Sequence, residues 1–343
     1  MANALVKQNI MLVGEAWGEE EDLLKQHFVG PTGQELRRLC TWAGFDYKEC
    51  YVTNVLHLRP QDNDMKNVCV TKSELPKDYH LSSLGSGRWL DPQYLPEITR
   101  LWQEIETVKP NIIIALGATA FWALTGETGI NKNRGVIRET MAGHKMIATY
   151  HPAQLFRVQE NRPILLADLI KGYENSHTPH LEFTERELWI EPELADLYLF
   201  EREHLAKSNL WSIDIETTAG QITCIGFAPD AKYALVVPFW DRRQENYSYW
   251  SLADEVTVRF WLKKLLESPV PKVMQNGAYD MQYLYWEKIY VQNCCHDTMF
   301  MAHVTQPELP KSLEFLGAVH TNSPNWKHLS HRRADDESAK KED

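Results

Sequence analysis

What this chain lacks narrows its class before any motif is read. No apolar run approaches the roughly twenty residues that span a bilayer. The longest, Ile112 to Leu124, is interrupted by Gly117 and Thr119. The first nine residues place Lys7 inside their apolar stretch and lack the core of a secretory signal. Six cysteines occur without framework spacing, which excludes a disulfide scaffold and implies a reducing compartment. A cytoplasmic protein with no membrane partner is expected. A basic excess is missing too: 36 Lys and Arg stand against 47 Asp and Glu, a net charge of −11. Residues 1–177 carry 19 basic and 21 acidic side chains, whereas residues 178–343 carry 17 and 26. Non-specific affinity for nucleic acid should therefore be weak unless basic residues cluster locally. Bound cations would offset an acidic second half.

What is present suits two cores, since 343 residues with 43% hydrophobic content can build two domains. In the first half, apolar runs at 9–13, 51–56, 111–116 and 146–150 read as strands, and 35–43, 96–108 and 118–124 as helices. Strand, helix and strand joined by short links predict an α/β domain with a parallel sheet and helices on both faces. Ligands of such sheets sit at the carboxyl ends of the strands, where Glu15, Asn54 and His151 all fall. In the second half, strands are expected at 187–190, 211–215, 223–228, 233–237 and 273–274, and helices at 192–205, 256–266 and 280–286. The segment Asn175 to Pro179 reads as a linker, and the sequence contains no internal repeat.

Gly14-Glu15-Ala16-Trp17-Gly18, His27-Phe28-Val29-Gly30, Thr53-Asn54-Val55 and His151-Pro152-Ala153 occur in order along the first half. Together they resemble the uracil-DNA glycosylase superfamily, in particular the branch whose first motif reads Gly-Glu-Ala-Pro-Gly. The resemblance covers residues 9–172 and implies a three-layer α/β/α fold that binds an extruded base. By that resemblance Phe28 stacks on the uracil and Asn54 reads its edge. Glu15 and His151 are the catalytic pair, and Leu155, Phe156 and Arg157 contact DNA. Trp17 replaces the family's proline and should place a bulky ring beside the pocket, narrowing it. The iron–sulfur cluster common in this branch is not expected: no cysteine precedes the first motif, and Cys40, Cys50 and Cys69 make only three.

Asp214 and Glu216 alternate with Ile213 and Ile215, so a strand would aim both carboxylates to one side. A third carboxylate, Asp280, follows in Asn276-Gly277-Ala278-Tyr279-Asp280. This pattern over residues 185–330 resembles the 3′–5′ exonuclease domains of phage and bacterial family A DNA polymerases, which have a ribonuclease H-like mixed sheet. The resemblance implies Mg2+ or Mn2+ held by Asp214, Glu216 and Asp280, with Asn276 on DNA. Asp297 reads as a capping carboxylate. The family's late Tyr-x3-Asp has no counterpart; His331 and Asp336 offer a His-x4-Asp in a polar tail, and the expectation is a chain truncated before that motif.

The expected layout is a glycosylase-like domain over 1–175, a linker over 176–186, an exonuclease-like domain over 187–330 and a polar tail over 331–343. The leading expectation is a DNA repair or replication enzyme of a bacterial or phage-infected cytoplasm, acting on uracil-containing or single-stranded DNA beside a DNA polymerase polypeptide. The alternative is a catalytically silent module that binds uracil or single-stranded DNA and docks to the polymerase.

Overall fold

The computed structural model describes residues 9–182 and 185–322. They divide into two compact units, one running to Glu182 and resuming at Glu314, the other ending at Leu313.

The first unit begins with β1 (Ile10–Ala16), α1 (Glu19–Leu24), α2 (Pro31–Trp42) and β2 (Tyr51–Leu56). A small antiparallel pair, β3 (Cys69–Val70) and β4 (Trp89–Leu90), follows β2. Then come α3 (Leu95–Val108), β5 (Ile112–Leu116), α4 (Ala118–Thr125), α5 (Ile130–Asn133), β6 (Ile137–Glu139), β7 (Lys145–Thr149) and α6 (Arg162–Glu174). The sheet order is β2-β1-β5-β7-β6. Its first four strands pair in parallel. Apolar runs form these strands because both faces are covered. Met11, Val13, Ile113 and Ala115 meet Leu101 and Ile105 of α3 and Phe121 of α4. Ile10, Leu12, Ile112 and Ile114 meet Leu36 and Leu39 of α2 and Leu165 and Leu169 of α6. The three α/β/α layers follow from that alternation.

Four local expectations need correction. β6 adds an antiparallel edge strand that its short sequence, charged at Arg138 and Glu139, conceals. β1 continues beyond the expected run at 9–13 through Glu15 to Ala16. The segment read as a linker packs on the first unit. Ser176 is buried, its carbonyl accepting from Asn111 Nδ2 at 2.7 Å, and Lys145 Nζ donates to His180 O at 3.0 Å. Finally, α11 (Leu313–His320) groups with the first unit from Glu314 onward, not with the acidic second half. Its anchor is Lys171 Nζ, which donates to Gly135 O and Ala318 O at 2.7 Å each and also to Thr321 O. Burial pushes this amine down to about 8. The buried Arg134–Asp168 pair lies alongside, with the guanidinium 5.3 Å from the Phe315 ring centre.

The second unit contains β8 (Glu187–Trp189), α7 (Leu194–Glu203), β9 (Trp211–Thr218), β10 (Gln221–Ala228), β11 (Tyr233–Pro238), α8 (Leu252–Leu266), β12 (Lys272–Met274), α9 (Gly277–Trp286), β13 (Cys294–Asp297) and α10 (Thr298–Thr305). The order is β13-β12-β9-β10-β11-β8, with an antiparallel meander β9-β10-β11 and parallel pairs at β9-β12 and β12-β13. Counted from β9, the five strands from β11 to β13 read 3-2-1-4-5, the mixed order of a ribonuclease H-like sheet. A two-residue turn joins β9 to β10, and Ala219 and Gly220 both take positive φ, as such hairpins require. Trp211, Ile213 and Ile215 enter the core with Phe227, Leu235 and Trp261, leaving Asp214 and Glu216 on the opposite side of β9. His331 and Asp336 lie outside the described residues.

Candidate active sites

A cleft of about 980 Å³ opens at the carboxyl ends of the parallel strands in the first unit. β1 supplies Glu15, β2 supplies Asn54, the β5 end supplies Gly117, and His151 follows β7. Phe28 and Arg157 complete the wall. The residues singled out on separate motifs thus share one space, with Leu155 and Phe156 as exceptions treated below.

Two glycines let that wall close. A Cβ on Gly33 would lie 1.6 Å from Phe28 O, so the N-terminal turn of α2 holds the Phe28 backbone in its left-handed conformation, φ 54°. A Cβ on Gly14 would lie 2.1 Å from Asn54 Oδ1 and 2.5 Å from Phe28 Cζ. The amide and the ring therefore meet over bare backbone. Glu21, from an acidic run that reads as an ordinary helix start, fastens the same loop by accepting from Gly30 N at 3.0 Å. Asn54 is 2% exposed, and its Oδ1 has no hydrogen-bond partner. An unpaired buried carbonyl costs about 1–3 kcal/mol, so the site favours a ligand that donates there. Arg100 fixes the strand end, donating to Asn54 O at 2.7 Å and Val55 O at 3.0 Å.

Glu15 accepts a hydrogen bond from Thr119 Oγ1, which orients its carboxylate. Thr119 sits at the start of α4 with no motif to announce it. His151 accepts from Ala153 N through Nδ1 at 3.3 Å, leaving Nε2 to carry the proton of the neutral ring. Burial holds the His151 pKa below the usual histidine range. The ring centre lies 6.0 Å from that of Phe28, at 27° between planes. The chemistry available is a neutral N–H donor, a fixed carboxylate and an aromatic face.

One expectation changes here. Leu155 is no DNA wedge: at 2% exposed it packs in the core layer with Leu36 and Leu165, because the 3₁₀ turn after His151 points it inward. Phe156, 60% exposed, points outward beside Arg157. Trp17 lines the cleft next to Glu15 and Ala16. Its ring stacks on His57 at 5.4 Å and 11°, and its Nε1 donates to His27 Nδ1 at 3.1 Å.

The cysteines do not fit an iron–sulfur cluster. Cys40 and Cys50 are buried in the apolar layer on the α2 side of the sheet, whereas Cys69 packs with the opposite layer. Burial pushes the Cys50 thiol up to about 12 and Cys40 higher still.

In the second unit Asp280 comes one turn into α9, and its Oδ1 accepts from Ile215 N at 3.0 Å. That bond ties α9 to β9 between Asp214 and Glu216. The Asp214 carboxyl is pushed up to about 6 by burial among its neighbours and then by repulsion from Asp280 and Glu216. Burial also raises Asp280. Three hard oxygen donors whose charges repel one another suit a divalent cation. Among the described residues, however, no group of three acidic, histidine or cysteine side chains is arranged to grip one. Asp297 caps α10, accepting from Met299 N at 2.8 Å and Phe300 N at 3.2 Å. It also accepts from Asn276 N and Gly277 N, which seats the exposed Asn276 at the start of α9.

The first unit is thus an α/β domain with a ligand cleft at its strand ends. Residues 4–171 match the family described as the Uracil DNA glycosylase superfamily, and the chain belongs to it. Type-4 uracil-DNA glycosylase of Thermotoga maritima is 33% identical over 167 residues, covering 48% of this chain and 75% of that protein. The Archaeoglobus fulgidus type-4 enzyme is 30% identical over 162 residues, covering 45% and 70%. Among solved structures, an EXD2 exonuclease domain soaked in Mn and GMP is 17% identical with a TM-score of 0.26, covering 42% of this chain and 74% of that one. Brucella melitensis NrnC with bound Mg2+ is 15% identical with a TM-score of 0.25, covering 40% and 61%. Likenesses this slight define neither the fold nor the chemistry of the second unit. Among the described residues, no helix is long and apolar enough to cross a membrane.

Proposed function

We propose that the first unit releases uracil from DNA. The observation that carries this reading is the buried, unpartnered Oδ1 of Asn54 beside the Phe28 ring. A flipped uracil stacks on Phe28, donates its N3–H to that oxygen and accepts at O4 from the Asn54 amide. The bond from C1′ to N1 breaks, and its electron pair leaves on the base. His151 Nε2–H donates to the developing uracil anion, while the Glu15 carboxylate faces the cationic sugar and orients the water that adds to C1′. The water's second proton leaves by way of Glu15 and ends on the released uracil. Phe156 fills the vacated stack and Arg157 meets a phosphate.

For the second unit the proposal is a 3′–5′ exonuclease-like module of the family A polymerase type. Asp214, Glu216 and Asp280 would hold Mg2+ or Mn2+, which supplies charge neutralisation at a phosphodiester and activation of water. Asn276, at the start of the helix that carries Asp280, would contact the DNA strand. The two units would serve repair or replication in the cytoplasm beside a polymerase polypeptide.

The test of the first reading is an end-labelled, uracil-containing strand incubated with the full chain in EDTA, then treated with alkali. Abasic-site formation that is lost in Asn54→Ala and His151→Ala supports the glycosylase. Uracil-dependent binding without release would select the non-catalytic binding module instead.

A further inference from the structure

An indole N–H donates and never accepts. Trp17 Nε1 lies 3.1 Å from His27 Nδ1, so that imidazole nitrogen carries a lone pair and the proton of the neutral ring sits on Nε2. Asn54 Nδ2 lies 3.3 Å from the same Nδ1. Only the amide NH2 end can meet a lone pair; a carbonyl there would set acceptor against acceptor. The Asn54 amide is therefore fixed with its oxygen on the other side, where it is buried and unpartnered over Gly14.

Resting on the glycosylase reading, we infer that His27, locked by Trp17, is a positioning residue that sets the Asn54 amide to accept uracil and reject cytosine. Uracil offers N3–H to an acceptor and O4 to a donor. Cytosine offers the reverse, a lone pair at N3 and an amine at N4, and meets both ends of this amide with like groups.

The surroundings keep the relay in one state. Trp17 lies flat on His57, and the His27 and His57 ring centres are 4.6 Å apart. His57 is itself tied down, Nε2 to Thr53 Oγ1 at 3.0 Å and its backbone N–H to Glu97 at 2.9 Å. Trp17 N donates to Leu58 O at 3.1 Å, so the indole is registered against the end of β2 that carries Asn54. Burial, reinforced by His57, pushes His27 down to about 4 and leaves it neutral at physiological pH.

The experiment has two arms on the full chain. In the first, long-range 1H–15N correlation on labelled protein at pH 7 reads the His27 tautomer. Nε2–H in the wild type, shifting toward Nδ1–H in Trp17→Phe, is the expected result; Nδ1–H in the wild type would overturn the relay. In the second, kcat/KM for uracil release and the affinities for free uracil and free cytosine are compared. His27→Leu should lose roughly 10–100-fold in kcat/KM together with most of the uracil-over-cytosine preference. His27→Gln, whose Oε1 accepts from both neighbours, should recover to within roughly 3-fold of wild type. A folded His27→Leu protein with unchanged base preference would also overturn the inference. Because the tautomer is read without turnover, it decides the relay even if the wild type releases no uracil, a result that would count against the glycosylase reading alone.

Discussion

The two candidate sites handle polar groups in opposite ways. The cleft of the first unit is built from neutral or individually anchored groups. His151 and His27 are held uncharged by burial, Glu15 is tied to Thr119, and one buried oxygen on Asn54 waits for a donor. The acidic strand of the second unit instead buries Asp214 and sets it in the field of Asp280 and Glu216, raising it to about 6. The first arrangement is ready for a neutral ligand as it stands. The second carries repulsion that only a proton or a cation relieves. Preorganisation thus costs the glycosylase-like cleft one unmade hydrogen bond, and the acidic strand three crowded charges.

The largest effect should separate the sites by chemistry. Asn54→Ala or His151→Ala is expected to slow uracil release by roughly 10²–10³-fold, as for removal of one anion-stabilising donor. The loss should be the same with EDTA or Mn2+. A metal requirement for uracil release would break the contrast between the two units.

Next in size is Gly33→Ala. The new Cβ would sit 1.6 Å from Phe28 O, backbone that cannot swing aside. A loss of about 1–3 kcal/mol, or more, is expected by chemical denaturation, with base binding lost alongside. Gly220→Ala, in the open β9–β10 turn at φ +80° with nothing within 4 Å of the new Cβ, should cost only about 1–2 kcal/mol from its left-handed backbone. Equal costs would show that Phe28 is not held by α2.

The pH dependence sharpens the picture of neutral imidazoles. His27 lies near 4 in the folded chain against about 6.5 unfolded, so the unfolded state binds more protons in that window. Stability should fall as pH drops from about 6.5 toward 4 and flatten below, as followed by thermal melting. His27→Gln should weaken that dependence. An unchanged slope would mean that His27 is not the neutral acceptor that the geometry requires.

The smallest effect belongs to the acidic strand. Mn2+ at about ten times its dissociation constant should stabilise the chain by about 1.4 kcal/mol, and Asp214→Asn should abolish the increment. Mn2+-induced stabilisation that survives the substitution would place the cation elsewhere.

Much of this architecture lies open in local pattern. The apolar runs of β1 and β5 announce strands covered on both faces, and Glu15, Asn54 and His151 near the strand ends announce a cleft. The alternation in β9 likewise tells which side Asp214 and Glu216 take. Other features escape because nothing adjacent encodes them. Leu155 and Phe156 are neighbours of similar character, and only packing against Leu36 and Leu165 sends one inward and the other to solvent. Trp17 lines the cleft as its place in the motif leads one to expect, but only the fold supplies the hydrogen bond to His27 and the stack on His57 that fix its ring.

What the sequence determined by itself is the order of the longer apolar strands and helices, the residue types delivered to the strand ends and the sidedness of the carboxylates, since each follows from the period of a strand or a helix. Tertiary structure alone decided which tautomer His27 carries, which way the Asn54 amide faces and where α11 packs, held by Lys171 on the first unit. Those outcomes depend on donors and acceptors brought together from distant segments, 37 residues apart for Asn54 and Trp17 and 147 for Lys171 and Ala318. Local periodicity carries no information about such meetings; burial, which leaves each donor few partners to choose from, decides them.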